Sequence, residues 1–587
     1  MSKLSAEQLA IIDAPLEPLS VVACAGSGKT RTAVERLADI RRRLGDHRGR
    51  VALLSFSNVA VDTFRQSYQT LLQGIPSGIA RDRVDIDTLD GFITSHVLRP
   101  HAYRTMGCDR TPFLIAGTEP FLKNKDFTFW VRPGSTDDFP VQPGDLHKVV
   151  VNMKAGAAIF QYRQHASLLP INNGIAAANR LGSTGAYTHD LGRYWCYRTL
   201  VAQPSIRRAL VRRYPHILID EAQDIGTLHQ AILELLIQAG SQVSLIGDPN
   251  QGIYEFAGAD GRFLANYEQR AEVNGSGLTR NYRSVPVILD LANSLAKRSD
   301  EPDRTAPETT HGAFFIGYKD SECQQLISAF QAAALASELR IERCAVLCRA
   351  RKQADRLAGK DASLGQGMMK GFARAAVLRD KQQDYQGAFK SVLACVVGLL
   401  ADPPRGLVAT ISQPGSDQKA RLLRRLIWKF ARNPETGLPS ATLVADAQWH
   451  SQLRQRASEL LSEIQKEFDL APTNNLGNKL SKKGLPNGPL MPAGDLAAIQ
   501  DARIRIDTVH QVKGESLDAV LYIAEKAHVS ALLAGVDTEL GRIGYVAVTR
   551  ARDLFWLGVP ANAIKELRPA LLARGFQEAG ATVQQAA

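Results

Sequence analysis

Val21-Val22-Ala23-Cys24-Ala25-Gly26-Ser27-Gly28-Lys29-Thr30-Arg31 runs from an apolar strand into a turn of small residues and on into a helical pattern. Small side chains let consecutive backbone N–H groups converge on an anion, and the helix N-terminus behind them adds a favourable dipole. Lys29 is placed to reach terminal phosphates and Thr30 to ligate Mg²⁺, so a nucleoside triphosphate is the implied ligand. The phosphate-loop pattern G-x-x-x-x-G-K-[ST] has glycine where this chain has Ala23. Its partner is His216-Ile217-Leu218-Ile219-Asp220-Glu221-Ala222-Gln223-Asp224, a buried-strand run ending in adjacent carboxylates. Asp220, at the strand's end, suits Mg²⁺ held through water, and Glu221 suits orienting and deprotonating the water that attacks the γ-phosphorus.

A chain of 587 residues is too long for one hydrophobic core, and about three to four structural units are expected. Hydrophobic residues make up 45% and charged residues 22%, ordinary values that argue against wholesale disorder. A formal charge of +12 with a sequence pI near 9.3 favours a polyanionic partner, nucleic acid before a membrane surface. No apolar run approaches the length of a membrane span and no secretory signal opens the chain, so a cytoplasmic protein is expected. Seven cysteines at 24, 108, 196, 323, 344, 348 and 395 show no paired CxxC units and no histidines at zinc spacing, and read as reduced structural thiols.

Strand-like runs at Leu19–Ala23, Val51–Ser55, Val84–Thr88, Ile217–Asp220 and Val243–Gly247 alternate with helical patterns, which predicts an α/β domain with a parallel sheet. A second set follows at Gly312–Tyr318, Ala345–Cys348, Ile504–Thr508, Val520–Ile523 and Phe555–Gly558. Each set is interrupted, the first by aromatic-rich and then helical sequence, the second by a basic helical stretch that contains the amphipathic run Lys419–Lys429. The expected division is 1–95 with 205–280, an insertion over 96–204, 281–360 with 500–587, and an insertion over 361–499. The stretch Ala471–Gly494, rich in Pro, Gly and Asn, reads as a flexible return to the second core.

Further motifs follow one another from Gln8 to Arg552. Leu4-Ser5-Ala6-Glu7-Gln8 resembles an adenine-reading Q motif, whose glutamine amide both donates and accepts on one base edge. Ser55-Phe56-Ser57-Asn58-Val59-Ala60 resembles TFTNKAA, and Thr88-Leu89-Asp90-Gly91-Phe92 resembles TFHSF with Asp90 in place of histidine. In Gly247-Asp248-Pro249-Asn250-Gln251-Gly252-Ile253-Tyr254-Glu255-Phe256, two aromatic residues offer faces on which bases can stack. Ala257 follows, where arginine is frequent. Leu278-Thr279-Arg280-Asn281-Tyr282-Arg283-Ser284 resembles LxxNYRS, and Thr508-Val509-His510-Gln511-Val512-Lys513-Gly514-Glu515 resembles TVHSAKGLEF with its glutamate one position early. Tyr545-Val546-Ala547-Val548-Thr549-Arg550-Ala551-Arg552 closes the series.

In this order the motifs resemble those of the superfamily 1 helicases of the UvrD/Rep/PcrA type. The resemblance implies two RecA-like P-loop domains, each interrupted by a mainly helical insertion, with ATP and Mg²⁺ bound between them. It implies adenine contacts from Gln8 and Tyr282, a phosphate cradle from Ala23 to Arg31, γ-phosphate sensing by Gln251, and phosphate contacts from Arg283 and Arg550. It implies Mg²⁺ at Thr30 and Asp220, and DNA contacts at Phe56, Asn58, Thr88, Tyr254, Phe256 and His510. A DNA helicase or translocase moving 3′ to 5′ on single-stranded and duplex-junction DNA follows, in repair, replication or phage defence. The chain stops about 35 residues after Arg552, so no C-terminal nuclease domain is expected. An alternative is a DNA-responsive ATPase subunit that regulates a partner nuclease, as in phage-defence systems pairing a UvrD-like protein with an OLD-type nuclease. A P-loop kinase or metabolic ATPase would need a small-substrate site for which the sequence offers no motif.

Overall fold

A computed structural model describes residues 4–73, 83–134, 137–165, 167–254, 258–259, 261–358, 365–491 and 504–579. Two compact units emerge: Met1–Val97 with Cys196–Lys360 and Ala502–Ala587, and Leu98–Trp195 with Asp361–Asp501. Among the described residues no helix is long and apolar enough to cross a membrane.

The first unit is built on two six-stranded parallel sheets. The first contains β1 (Leu19–Ala23), β2 (Val51–Ser55), β3 (Val84–Thr88), β4 (His216–Asp220), β5 (Gln242–Gly247) and β6 (Asn274–Leu278), in the order β6-β1-β5-β4-β2-β3. Val51, Ala52, Leu53 and Leu54 of β2 are wholly buried, as are Ile217 and Ile219 of β4. Helices cover both faces of such a sheet, so its strands carry continuous apolar runs. The two edge strands depart from this: β3 is Val84-Asp85-Ile86-Asp87-Thr88, and β6, Asn274-Gly275-Ser276-Gly277-Leu278, exists through its pairing with β1 from Leu19↔Asn274 to Ala23↔Leu278.

The second sheet contains β7 (Gly312–Tyr318), β8 (Cys344–Cys348), β9 (Arg505–Thr508), β10 (Leu517–Ile523), β11 (Ala551–Pro560) and β12 (Gln577–Glu578), ordered β9-β8-β10-β11-β7-β12. Val520, Phe555, Leu557 and Tyr522 form its core with Val546 and Ala547 from the preceding helix. Both sheets are uniformly parallel, so their loops of chemical interest collect at the strands' carboxyl ends.

In the second unit, Val149–Lys154, Ala157–Gln164 and Ser167–Pro170 make an antiparallel meander beside helices, so the first inserted stretch carries sheet as well as helix. Helices Gly367–Gln382, Tyr385–Gly398, Gln418–Arg432 and His450–Phe468 share a core containing Phe372, Val392, Ile427 and Trp449. Gln418–Arg432 buries Leu423, Ile427 and Phe430 and exposes Lys419, Arg421, Arg425 and Lys429, as its amphipathic pattern predicts.

Helix α1 (Ala6–Asp13) begins with a capping box in which the Ser5 hydroxyl accepts from Gln8 N and Gln8 Oε1 accepts from Ser5 N. Its far end is tied down by Arg36 on α2 (Lys29–Arg43), whose buried guanidinium donates to the carbonyls of Ile12 (3.0 Å), Ala14 (2.5 Å) and Pro15. Replacing Arg36 by Met keeps the apolar stem and strands these carbonyls. The expected cost is about 1–3 kcal/mol of unfolding free energy, with faster amide exchange concentrated in α1. Unaltered exchange in α1 would contradict this anchoring role.

Candidate nucleotide and DNA site

The P-loop leaves the end of β1 in a conformation that its glycines permit. Gly26 and Gly28 sit at φ 76° and 81°, and a Cβ on Gly26 would lie 2.5 Å from Arg283 Cβ. Backbone bonds fasten the loop to the segment after β6: Cys24 N donates to Leu278 O (2.8 Å) and Tyr282 N to Gly26 O (2.9 Å). Asn281 reinforces the junction, donating through Nδ2 to Ala25 O (2.6 Å) and accepting at Oδ1 from Arg283 N and Ser284 N. Gln8 closes the other side, with Nε2 donating to Ser27 O (3.2 Å), so both ends of its amide are engaged. Ser27 Oγ in turn donates to Cys24 O (2.9 Å). Ala23 and Cys24 are buried, and burial pushes the Cys24 thiol up to about 12, so it is a packing group rather than a nucleophile.

A cavity of about 210 Å³ opens over this loop, lined by Gly26, Lys29, Thr30, Glu221, Gln251, Tyr282, Arg283, Gly514, Arg550 and Arg552. Lys29 Nζ rests 3.4 Å from Cys24 O. Strand order explains the convergence, since β5 lies between β1 and β4 and the three adjacent carboxyl ends deliver the P-loop, Asp220–Glu221 and Gln251. Arg550 comes from the second sheet's side, at the end of α3 (Glu539–Arg550), and donates through Nη2 to Gln251 Oε1 (2.9 Å) and through Nη1 to Glu515 O (3.2 Å). Gln251 Nε2 passes the chain on to Asp248 Oδ2 (2.8 Å). Arg283 Nη1 donates to Thr549 O (2.7 Å). Burial first, and then the neighbouring Arg550, weakens the hold of Arg283 on its proton. Arg31 does not line this cavity.

Three carboxylates crowd the end of β4. Asp220 is pushed up to about 7, by burial first and then by Glu221 beside it, and its Oδ1 is buried with no partner among the described residues. Glu221 is also penalised by burial, but Lys29, Lys513 and Arg550 outweigh that and hold it below the usual carboxylate range. It adopts a left-handed φ of 55°, and Gln223 Nε2 donates to its Oε2. Gln223 Oε1 accepts from Asp248 N (3.0 Å), which fixes the amide's orientation. Asp224 is pushed up to about 7 by burial, against Lys513, which bonds both its oxygens at 2.5 and 2.6 Å. Among the described residues no cluster of three or more His, Cys, Asp and Glu forms a metal cage. The donor set instead fits Mg²⁺ shared between a hydroxyl, one carboxylate and phosphate oxygens, as that ion prefers, and the unpartnered Asp220 oxygen is where such an ion's water would bind.

The residues expected to meet DNA fall into two groups. Phe56, half-buried after β2, packs edge-on against His229, with centroids 5.8 Å apart, and His229 Nε2 lies 2.8 Å from Asp90 Oδ1. Asn58 opens its helix exposed to solvent, and the Thr88 hydroxyl caps the following short helix by accepting from Gly91 N (2.9 Å). Tyr254 and His510 form the second group, with rings 5.7 Å apart and His510 Nε2 3.2 Å from Ile253 O. Phe256 lies outside the described residues. Sequence reasoning passed over Lys513, which bonds Asp224 and Gln251 O (2.7 Å) and sits 5.1 Å from the centre of the Tyr254 ring. Its signal was its place beside His510, in a motif otherwise read for its histidine.

Residues 4–127 and 172–272 match the family model of the UvrD/REP helicase N-terminal domain. Over those residues the chain is similar to the UvrD/Rep helicases. Similar proteins include those named ATP-dependent DNA helicase UvrD2 and UvrD1 of Mycobacterium tuberculosis (strain ATCC 25618 / H37Rv). The first is 25% identical over 311 residues, covering 50% of this chain and 43% of that protein, and the second 25% over 335, covering 51% and 40%. ATP-dependent DNA helicase PcrA of Staphylococcus aureus (strain NCTC 8325 / PS 47) is 24% identical over 311 residues, covering 51% of this chain and 41% of that one. The match thus spans about two fifths of each of these relatives' length. Two RecA-like parallel sheets are the family's fold.

Two outcomes follow from the buried charges. An aspartate that ionises near 4 when unfolded and near 7 when folded holds its proton more tightly in the folded state. Its contribution to stability is therefore present below about pH 4 and lost as pH rises to about 7. Asp220→Asn is expected to raise the Tm of the ligand-free protein at pH 8 by at least about 2–4 °C, with the gain vanishing toward pH 4; a lower Tm at pH 8 refutes it. Lys513→Met strands the Asp224 carboxylate and is expected to cost about 3–5 kcal/mol at pH 8, partly recovered on adding Asp224→Asn. Additivity of the two changes in a double-mutant cycle would show that the pair is not coupled.

Proposed function

We propose that this chain is an ATP-dependent motor on single-stranded DNA, a translocase and helicase moving 3′ to 5′, with ATP and Mg²⁺ as its cofactors. The observation that carries the reading is the single cavity that brings Lys29, Thr30, Glu221, Gln251 and Arg283 together with Arg550 from the other sheet. In this reading residues 1–95 with 205–280 and 281–360 with 500–587 are the two motor domains, and 96–204 and 361–499 their insertions.

ATP with Mg²⁺ supplies the γ-phosphoryl group and the charge that screens it. The P-loop amides and Lys29 would hold the terminal phosphates, Thr30 and Asp220 would hold the metal, and Tyr282 with Gln8 would border the base. Glu221 is the group that orients water and accepts its proton at a carboxylate oxygen, and its depressed pKa keeps it ionised for that task. Arg283 and Arg550 offset charge on the transferring group. Because Arg550 rides on the second lobe, catalysis depends on the lobes meeting. Gln251 joins the two lobes through Arg550, and the backbone after it leads within three residues to Tyr254, which supports coupling of hydrolysis to the grip on DNA. Phe56 and Tyr254 provide stacking faces, with Asn58, Thr88 and His510 beside them.

The side chains that depart from the family pattern favour a second reading, a DNA-responsive ATPase that regulates a partner nuclease. Asp90 is held by His229, and Glu515 pairs with Arg505 at 2.7 Å, so neither is presented to a strand or a ribose.

ATP hydrolysis measured at low salt with and without single-stranded DNA tests the motor reading, and strand displacement on a junction substrate separates it from the second. Strong stimulation is expected, abolished in Lys29→Ala and reduced about 10²–10⁴-fold in Glu221→Gln. Arg550→Ala is expected to reduce turnover by about 10³-fold or more while nucleotide binding persists. Turnover indifferent to DNA would sink both readings, whereas stimulation by DNA without strand displacement would favour the regulated subunit.

A further inference from the structure

The opposite edge of the first sheet carries a feature that nucleotide chemistry does not use. At the amino ends of β2, β3 and β4, an open cavity of about 790 Å³ is lined by Arg48, Arg50, Arg83, Arg212 and Arg213. Its frame is stitched by backbone bonds: Arg50 N donates to Arg213 O (2.6 Å) and Val51 N to Arg83 O (3.0 Å). The loop that carries Arg48 is held from below by buried Arg41, which donates to the carbonyls of Gly45, His47 (3.3 Å) and Gly49 (3.0 Å). Arg83 Nη1 adds a bond to His47 O (2.8 Å). The cations therefore spring from a preformed rim.

Charge in the rim is unbalanced. Asp85 takes Arg50 in a two-pronged pair, 2.5 and 2.7 Å, and also accepts from the Tyr214 hydroxyl (2.6 Å). Among the described residues no carboxylate lies within 4 Å of Arg48, Arg83, Arg212 or Arg213. Gathering like charges is unfavourable unless an anion joins them, and guanidinium forks match the oxygens of phosphate.

We propose that this arginine-lined cavity is a second anion site of the chain, which takes the backbone phosphates of nucleic acid at the end of the sheet opposite the nucleotide cleft. The lining favours a phosphate backbone over an acidic peptide. Its only carbon-rich members are Ala209 and Pro215, so it lacks the apolar pocket that anchors a peptide side chain, whereas sequence-independent phosphate binding needs cations alone. The site does not require that the motor reading hold.

The test uses the full chain and a fluorescein-labelled DNA duplex, with anisotropy followed over a series of salt concentrations. Arg48→Ala with Arg212→Ala removes two exposed cations, so Tm is expected to stay within about 2 °C. Affinity is expected to fall roughly tenfold at low salt, and the slope of log K against log salt to become shallower by about two. Arg48→Lys with Arg212→Lys is expected to keep most of that slope. If wild type binds the duplex and the alanine pair binds it with the same affinity and slope, the site is refuted and the motor reading stands. Loss confined to competition by tripolyphosphate or by a polyglutamate peptide would overturn the assignment to nucleic acid. A wild type that hydrolyses ATP yet binds no DNA would overturn this site and the motor reading together.

Discussion

Burial of three neighbouring carboxylates at the end of one strand governs the architecture of the first unit. Asp220, Glu221 and Asp224 could not remain together in a dry environment without compensation, because an uncompensated buried charge costs several kcal/mol. Lys29 supplies part of that compensation from the same sheet, and the rest comes from the other one, as Lys513 on Asp224 and Arg550 near Glu221. The junction between the lobes is therefore held by electrostatics centred on the place where phosphate chemistry would occur. Net charge there decides how firmly the lobes hold each other. A bound anion or an ionised Asp220 changes the partition of Lys29 and Arg550 between protein and ligand, and with it the strength of the junction.

The parallel sheet separates two kinds of surface. At its carboxyl edge small residues turn around Lys29, Arg283, Arg550 and Arg552 with Glu221 among them, and at its amino edge the loops carry arginine after arginine. Both edges present cations, but only the carboxyl edge sets buried carboxylates among them. Rim residues flanking β2, β3 and β4 are tied to one another by backbone hydrogen bonds, and β4 ends in Asp220, so both surfaces are positioned by one layer.

Much of this was legible in the sequence because the informative residues are local. Leu19–Ala23, Val51–Ser55, Val84–Thr88 and Gly312–Tyr318 read as strands with the bounds they have in the structure, since apolar runs end at glycine or polar turns. Edge strand β6 escaped detection because Asn274-Gly275-Ser276-Gly277 has neither β-branched nor aromatic residues, and only its register against β1 makes it a strand. The antiparallel meander in the second unit was hidden by the irregular composition of its surroundings. At the site, the P-loop and the carboxylates were readable from spacing, whereas the Lys513–Asp224 pair joins residues 289 apart, which no local pattern reveals. Gln8 illustrates the converse: its place in a motif was evident, but its double duty as helix cap and P-loop prop follows only from the packing of α1.

Lys513 ties the carboxylate cluster to an aromatic ring. Its ammonium is shared among the Asp224 carboxylate, the Gln251 carbonyl and the face of Tyr254. An ammonium has three donors and no fixed plane, so small changes in the field redistribute it among such partners without breaking the backbone around it. Cation–π attraction is worth about 0.5–2 kcal/mol, less than a buried ion pair but comparable with stacking a base on an aromatic ring. Withdrawal of negative charge from the carboxylate cluster strengthens the relative pull of the ring, and addition of negative charge weakens it. In the proposed motor, the availability of the Tyr254 ring to a stacked base would respond to the charge around Asp224 through one side chain, without a chain of intervening residues.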